Sequence, residues 1–505
     1  MEQKATLTSS AFSVVESNRR ASPSARMKSS TASRPIPEEN VPLPVEKKHA
    51  ARSADVYFDI TDIVHFAMRE SKVTGIQRVQ TRIVGHYAER NPKTTHVLFQ
   101  HPETHEIVAT HASGLFSSGE FDPQWLLQSL GMVACRRFPR KRQIVSTMGL
   151  IGAGRVQILA AQARVYSKAL FAPTTLVDQG LLEQPAPRRR PKVRELRPVS
   201  RSEQPASLVF LGTNWSFGHL HKFAAGAKAD GWVVMQLVHD LIPLLHPEYC
   251  SPSTQADFGR FIGCSTEFVS HYLAVSECTR RDLDRYLAAR QTSIPVSVMP
   301  LAHEFGGHSR EGGAPKRRIA AVSAPYVLFV GTLDRRKNIE GILDAWSILI
   351  RDLGDQAPDL VFAGRLGWDS AAFSKALKSS PALSQKVRLV GAPSDSELAA
   401  LYRDCLCLLL PSHAEGWGLP VGEAAWFGKV SVITGTSSLA EVCPSCSVML
   451  DSGDGPEIAR AVATMVARPE NLQDMEARLS QARLRSWADV SMNLENLIAQ
   501  ARQSA

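Results

Sequence analysis

Long apolar runs are what this sequence most plainly lacks: none approaches the roughly 20 residues that a membrane-spanning helix needs. The opening residues, MEQKATLTSSAFSVVESNRR, hold no continuous apolar stretch of signal-peptide type, which points to a cytoplasmic chain. Cysteine is scarce, eight in 505 residues, which excludes a disulfide framework. Cys443 and Cys446 form a lone C-x-x-C with no second pair or paired histidines, so neither a zinc nor a redox site is expected. A net charge of +9 suits an acidic partner: nucleotide diphosphates, anionic lipid or nucleic acid. No zinc-finger spacing or RNP-type aromatic motif occurs, which makes nucleic acid the weakest of the three.

What is present is an ordinary soluble composition, 44% hydrophobic and 21% charged, in a chain too long for one core. Residues 1–53, rich in Ser, Pro, Ala and Arg without periodicity, read as a disordered tail. Strand patterns then recur at VYFDI (from Val56), THVLF (95–99), SLVFLG (207–212), WVVMQLV (232–238), YLAV (from Tyr272) and VSVMP (296–300). Between about 110 and 205 the pattern weakens. That stretch carries basic clusters at 136–142 and 188–197, read either as solvated loops or as a surface for an anionic membrane. The Gly-rich, charged run at 304–325 reads as a linker. Six further strand patterns follow, at 326–330, 360–363, 387–390, 405–410, 430–434 and 447–450, most of them separated by helical ones. Such alternation predicts parallel doubly wound α/β sheets. Capping residues are expected at Asn338, Ser276, Ser394 with Glu397, and Ser438 with Glu441.

One stretch organises the second half: HAEGWGLPVGEAAWFGKVSVITGTSSLAE, His413 to Glu441. Pro411 ends the apolar strand before it, and Pro420 suits the first turn of a helix. Glu415 therefore falls in a strand-to-helix loop, at the carboxyl edge of a sheet where open α/β folds bind ligands. Gly416 and Gly418 let backbone approach a ligand, and helix N-termini hold phosphate. The carboxylates of Glu415 and Glu423 then remain for hydroxyls, though each also has a plain reading, as a loop charge and a helix-dipole partner.

The stretch resembles the E-x7-E motif of the retaining glycosyltransferases of the GT-B fold, specifically family 4. YVLFVGTLDRRKN (326–338), LVFAGRLGW (360–368), VRLVGAPSDSELAALYRDC (387–405) and TSSLAEV (436–442) extend the resemblance over the C-terminal half. It implies two Rossmann-like domains facing a cleft: an N-terminal acceptor domain at 54–303 and a C-terminal nucleotide-sugar domain at 326–490. It also implies a last helix, 491–505, crossing back onto the first domain. By resemblance Arg336 and Lys337 bind the donor diphosphate, Glu415 the sugar hydroxyls and Glu423 the ribose. The amides of Trp417, Gly418 and Leu419 meet sugar and phosphate, with Ser437 and Ser438 beside the diphosphate. Gly75, Gln77 and Arg78, in TGIQRV, face the acceptor, and His239, in VHDLIPL, lies near the transferred sugar. Asp240 is a candidate to orient the His239 imidazole. Ala302 departs from the glycine usual in the family at that point.

No segment resembles the metal-binding Asp-x-Asp strand end of the other main glycosyltransferase fold, so neither metal nor cofactor is expected, the nucleotide sugar being substrate. TGIQRV, VHDLIPL and GRLGWDS favour a mannosyltransferase-like subgroup using GDP-mannose, building polysaccharide or lipid-linked oligosaccharide. A non-catalytic nucleotide-sugar-binding protein or another GT-B enzyme, a phosphorylase or epimerase, is the alternative.

Overall fold

The computed structural model describes residues 54–68, 75–116, 121–132, 192–201, 206–310, 322, 325–367, 371–391 and 393–504. The expected tail at 1–53, the basic cluster at 136–142 and most of the linker and of the 110–205 stretch lie outside the described residues. The described residues within Ala54–Asp284 and Ile294–Ala505 pack as one compact unit, which holds every contact discussed below.

Among the described residues the strands form two sheets. The first contains β1 (Val56–Asp59), β2 (Thr95–Gln100), β3 (Ile107–His111), β4 (Arg197–Pro198), β5 (Ser207–Phe210), β6 (Val233–Val238), β7 (His271–Ala274) and β8 (Val296–Val298). Their order is β4-β3-β2-β1-β5-β6-β7-β8. All neighbours run parallel except at β3, which is antiparallel to both β2 and β4. The sequence pattern does not reveal β3 and β4, because β3 (IVATH) turns polar after three residues and β4 is a two-residue edge.

The second sheet contains β9 (Tyr326–Val330), β10 (Asp359–Ala363), β11 (Val387–Val390), β12 (Cys407–Leu410), β13 (Ser431–Thr434) and β14 (Ser447–Leu450). It is parallel throughout in the order β11-β10-β9-β12-β13-β14. Every residue of β9 and β12 is buried, as expected of central strands covered by helices on both faces. The order reverses direction between β9 and β12, and such switch points open a crevice at the strands' carboxyl ends. The first sheet has its own switch point between β1 and β5.

Local chemistry explains the elements around the crevice. Asn338, at φ 57°, caps the helix Ile339–Leu353 by accepting the Gly341 N–H at 3.2 Å. That helix buries Ile339, Ile342, Leu343, Trp346 and Leu349, one face at helical spacing. Ser394 and Glu397 form a full capping box on the helix Asp395–Asp404. The box expected at Ser438 and Glu441 does not form. The Glu441 carboxylate instead accepts the N–H groups of Glu277 and Cys278, at 2.7 and 2.8 Å, where its charge suits the N-terminus of the helix Glu277–Ala289.

The chain returns from the second sheet to the first through the helix Trp487–Ser504, which starts four residues before the expected boundary at 491. Arg502 ties this helix to Ser207 Oγ at 2.8 Å and to the carbonyls of Ala54 and Asp55 at 3.1 and 2.9 Å. Where the chain first leaves the first sheet, Ala302 is buried and the next residue, His303, is pinned on both ring nitrogens. Its Nε2–H donates to the Val442 carbonyl at 2.8 Å, and its Nδ1 accepts the Arg485 N–H at 3.0 Å. A side chain on Gly422 would come within 3.1 Å of the His303 Cα, so helix and crossing segment touch backbone to backbone.

Candidate functional site

Three loops converge at the second sheet's switch point. After β9 the chain turns through Gly331 into a short 3-10 helix, Arg335–Lys337. After β12 it passes His413 to Gly418 and enters the helix Leu419–Trp426, with Pro420 in its first turn. After β13 come Gly435 to Ser438. Gly418 sits at φ 101°, a left-handed conformation that glycine adopts without a Cβ penalty.

The loops bring the expected charges into contact. Arg336 lies 2.7 Å from Glu415 Oε2, and the Lys337 ammonium donates to Glu415 Oε1. Arg336 also donates to the Ala414 carbonyl. Lys337 is only 8% exposed, and burial pushes its pKa down despite the neighbouring carboxylate. Burial alone would raise the Glu415 carboxyl, yet Arg336 first and then Lys337 hold it at about 2. Glu415 is therefore ionised at neutral pH.

Ser437 and Ser438 brace this loop. Ser437 Oγ accepts the Glu415 N–H at 3.2 Å, and Ser438 Oγ donates to the Glu415 carbonyl at 2.8 Å. The Trp417 indole N–H is buried and makes no hydrogen bond with the described residues.

The first sheet faces this cluster closely. A Cβ on Gly416 would stand 1.8 Å from the His239 carbonyl oxygen, so only glycine permits the approach. The His239 ring Nε2–H donates to the Leu211 carbonyl at 2.8 Å, which leaves Nδ1 as the acceptor. Burial keeps the imidazole below its usual pKa, hence neutral at pH 7. The expected orienting partner, Asp240, instead accepts the Ile242 N–H at 3.0 Å, while the ring bonds the Leu211 carbonyl. Burial raises the Asp240 carboxyl, and Arg336 is the strongest opposing influence on it.

Beneath lies a group that sequence reading misses. Asp62 Oδ2 accepts from Gln80 Nε2 at 2.7 Å and from the Thr213 N–H at 3.1 Å, bridging β1's exit to β5's. Asp59, at the end of β1, is buried, and desolvation with Asp62 nearby raises it to about 7. Asp62 follows VYFDI in the sequence, where its burial has no local signature.

The residues expected at the acceptor face separate. Gly75 is exposed and comes near Leu419, whose Cδ1 would be 3.3 Å from an added Cβ. Gln77 is buried. Arg78 does not lie on an open surface: it reaches Glu423 Oε1 at 2.7 Å and Asp395 Oδ1 at 2.8 Å. Its guanidinium also lies over the Phe305 ring, 4.9 Å from the centroid. The other Glu423 oxygen accepts the Tyr402 hydroxyl at 2.7 Å. Of the second basic cluster, Lys192, Arg194 and Arg197 are described: Arg194 donates to the backbone carbonyls of His111 and Ser113, and Arg197 pairs with Glu195 at 2.9 Å.

Comparison with known proteins bears on the family and the fold. Residues 316–482 match the family described as glycosyl transferases group 1. The serotype-specific mannosyltransferase WbdA of Escherichia coli is 27% identical over 251 residues, 48% of this chain and 30% of WbdA. The aligned region thus spans about a third of that relative's length. The O-antigen chain mannosyltransferase B of Escherichia coli is 24% identical over 260 residues, 51% of this chain and 68% of its own. Two solved structures share the fold over their full length. They are sucrose-phosphate synthase from Thermosynechococcus elongatus (TM-score 0.52, 14% identity, 90% of this chain) and Anabaena HepE in complex with UDP (TM-score 0.50, 12% identity, 89% of this chain). Residues 316–482 thus match a glycosyl transferases group 1 domain, and the chain shares the fold of these two solved structures.

Proposed function

We propose that the chain moves a hexose, mannose favoured, from a nucleotide-diphosphate sugar to a growing polysaccharide or lipid-linked oligosaccharide, with retention of anomeric configuration. The observation that carries this reading is the Arg336–Glu415–Lys337 cluster at the β9/β12 switch point, its lysine buried and its other two members half-buried, with His239 opposite. Cleaving a sugar–diphosphate bond adds negative charge to the departing phosphate. Two fixed cations in a site sheltered from water offset that charge with little reorganisation. Arg336 offers a planar fork and Lys337 a point charge, so the pair can hold a diphosphate without a divalent ion. An ionised carboxylate has about four acceptor sites. Glu415 can thus keep a bond to each cation and still receive sugar hydroxyls. His239, neutral with Nδ1 as acceptor, suits a hydroxyl of the sugar on the side facing the first sheet.

Two further points support the finer assignment. TGIQRV, VHDLIPL and GRLGWDS lean towards mannosyltransferases, and both curated relatives are named as such. Among the described residues no helix is long and apolar enough to cross a membrane. A lipid-linked acceptor would therefore be met at a membrane surface by the described part of the chain. The test is a panel of nucleotide sugars with free nucleotide as the readout, followed by NMR of the product's anomeric proton. Release from GDP-mannose above all others, and an α-linked product, is the expected result. Release from none of the panel would overturn the reading.

A further inference from the structure

We infer that Arg78 is a positioning residue for Glu423: from the helix Gly75–Arg90 on the first sheet, it fixes the carboxylate that receives the donor's ribose diol. This rests on the nucleotide-sugar reading above and adds a residue from the opposite half of the molecule to it.

The geometry is that of a clamp. Glu423 lies on the helix Leu419–Trp426 and is 4% exposed. One donor engages each of its oxygens, Arg78 Nη1 on Oε1 and the Tyr402 hydroxyl on Oε2, both at 2.7 Å. With both ends held, rotation of the carboxylate plane is stopped. Two bonds still leave about half of its acceptor sites for a pair of vicinal hydroxyls.

Arg78 is itself held from three sides. Its Nη2 donates to Asp395 Oδ1 at 2.8 Å, while the Phe305 ring packs on its face. Burial opposes its charge, but Glu423 first and Asp395 second outweigh burial, so the guanidinium stays ionised. It spans two carboxylates with two different nitrogens, a reach that the compact ammonium of lysine lacks. Orientation of a binding group matters because it is fixed before the ligand arrives.

The hydroxyls that Glu423 would hold are absent from a 2′,3′-dideoxynucleotide, and this gives a readout that mere structural support would not move. UDP, GDP and their dideoxy forms are titrated into the full-length chain by calorimetry, for wild type and Arg78→Gln. The expected result is a loss of at least tenfold in affinity for the preferred ribonucleotide, with dideoxynucleotide affinity unchanged within twofold. Donor KM rises in parallel while kcat holds within twofold. If the Gln variant does not fold, Arg78→Lys carries the test. It keeps the charge but not the double reach, so a smaller loss confined to the ribonucleotide is expected. A loss shared by the dideoxy forms, or no loss at all, overturns the inference. Failure of the wild type to bind either ribonucleotide overturns the nucleotide-sugar reading itself, and is told apart because it shows before any substitution is made.

Discussion

The Arg336 guanidinium stands 2.7 Å from Glu415, so two groups expected at different parts of a donor, diphosphate and sugar, are bonded to one another. A donor must therefore enter an ion pair that already exists, which makes Glu415 sensitive to charge as well as shape. Glu415→Gln keeps the size, removes the charge and loosens both cations. It should lower kcat by about a hundredfold, since placement matters most as the bond breaks. Glu423→Gln should instead mainly raise donor KM, because a ribose contact exists equally in ground and transition states. Steady-state kinetics on the two variants separates these outcomes, and the reverse pattern would mean their roles are exchanged.

His239 is held by a backbone carbonyl, not by a carboxylate, and this shapes its pH behaviour. With its pKa below the ordinary 6.5, transfer should stay level through neutral pH and fall only on acidification beneath that value. His239→Ala should cut transfer strongly while nucleotide affinity, read by calorimetry, stays within about twofold. Loss of nucleotide binding together with a lowered Tm would show the ring to be only a packing element.

Asp59 predicts a stability change away from the crevice. Its carboxyl is raised from 3.8 to about 7, so the folded chain holds a proton that the unfolded chain releases. The contribution is complete below about pH 4 and is lost as pH rises towards 7. Its upper limit is on the order of 4 kcal/mol, taking 1.36 kcal/mol per unit. Asp59→Asn should flatten that part of the curve in urea titrations run between pH 4 and 7. An unchanged slope would show that Asp59 ionises freely in the fold.

Much of this architecture is readable in the sequence because it is local. The six strands of the second sheet show as apolar runs between helical patterns, and all six fall at or within a residue or two of the expected places. Pro420, Asn338 and the Ser394–Glu397 box mark helix starts by chemistry that a few adjacent residues complete. Contacts made at a distance are not readable in this way. Nothing near Arg78 in sequence announces Glu423, 345 residues away, and TGIQRV reads equally as the start of an open helix. Glu441 satisfies the spacing of a capping box, yet a helix end 163 residues away competes for its carboxylate and takes it. β3 (IVATH) gives way to threonine and histidine after three apolar residues, so its pattern is not that of a buried strand.

The basic clusters at 136–142 and 188–197 bear on where the acceptor is met. Each Lys or Arg close to an anionic surface contributes about 1 kcal/mol, screened within a Debye length. The chain should therefore float with anionic liposomes at low salt and release from them at high salt. Binding that ignores lipid charge, or that survives replacement of both clusters by serine, would contradict a membrane role.

The most direct test is the rate of nucleotide release at saturating donor for wild type and Lys337→Ala, each with and without a chelator. Removing one fixed cation should cost at least about a hundredfold, and the chelator should change neither rate. Full turnover by Lys337→Ala, or loss of wild-type activity in chelator with recovery on adding Mg²⁺ or Mn²⁺, would contradict a diphosphate held by Arg336 and Lys337.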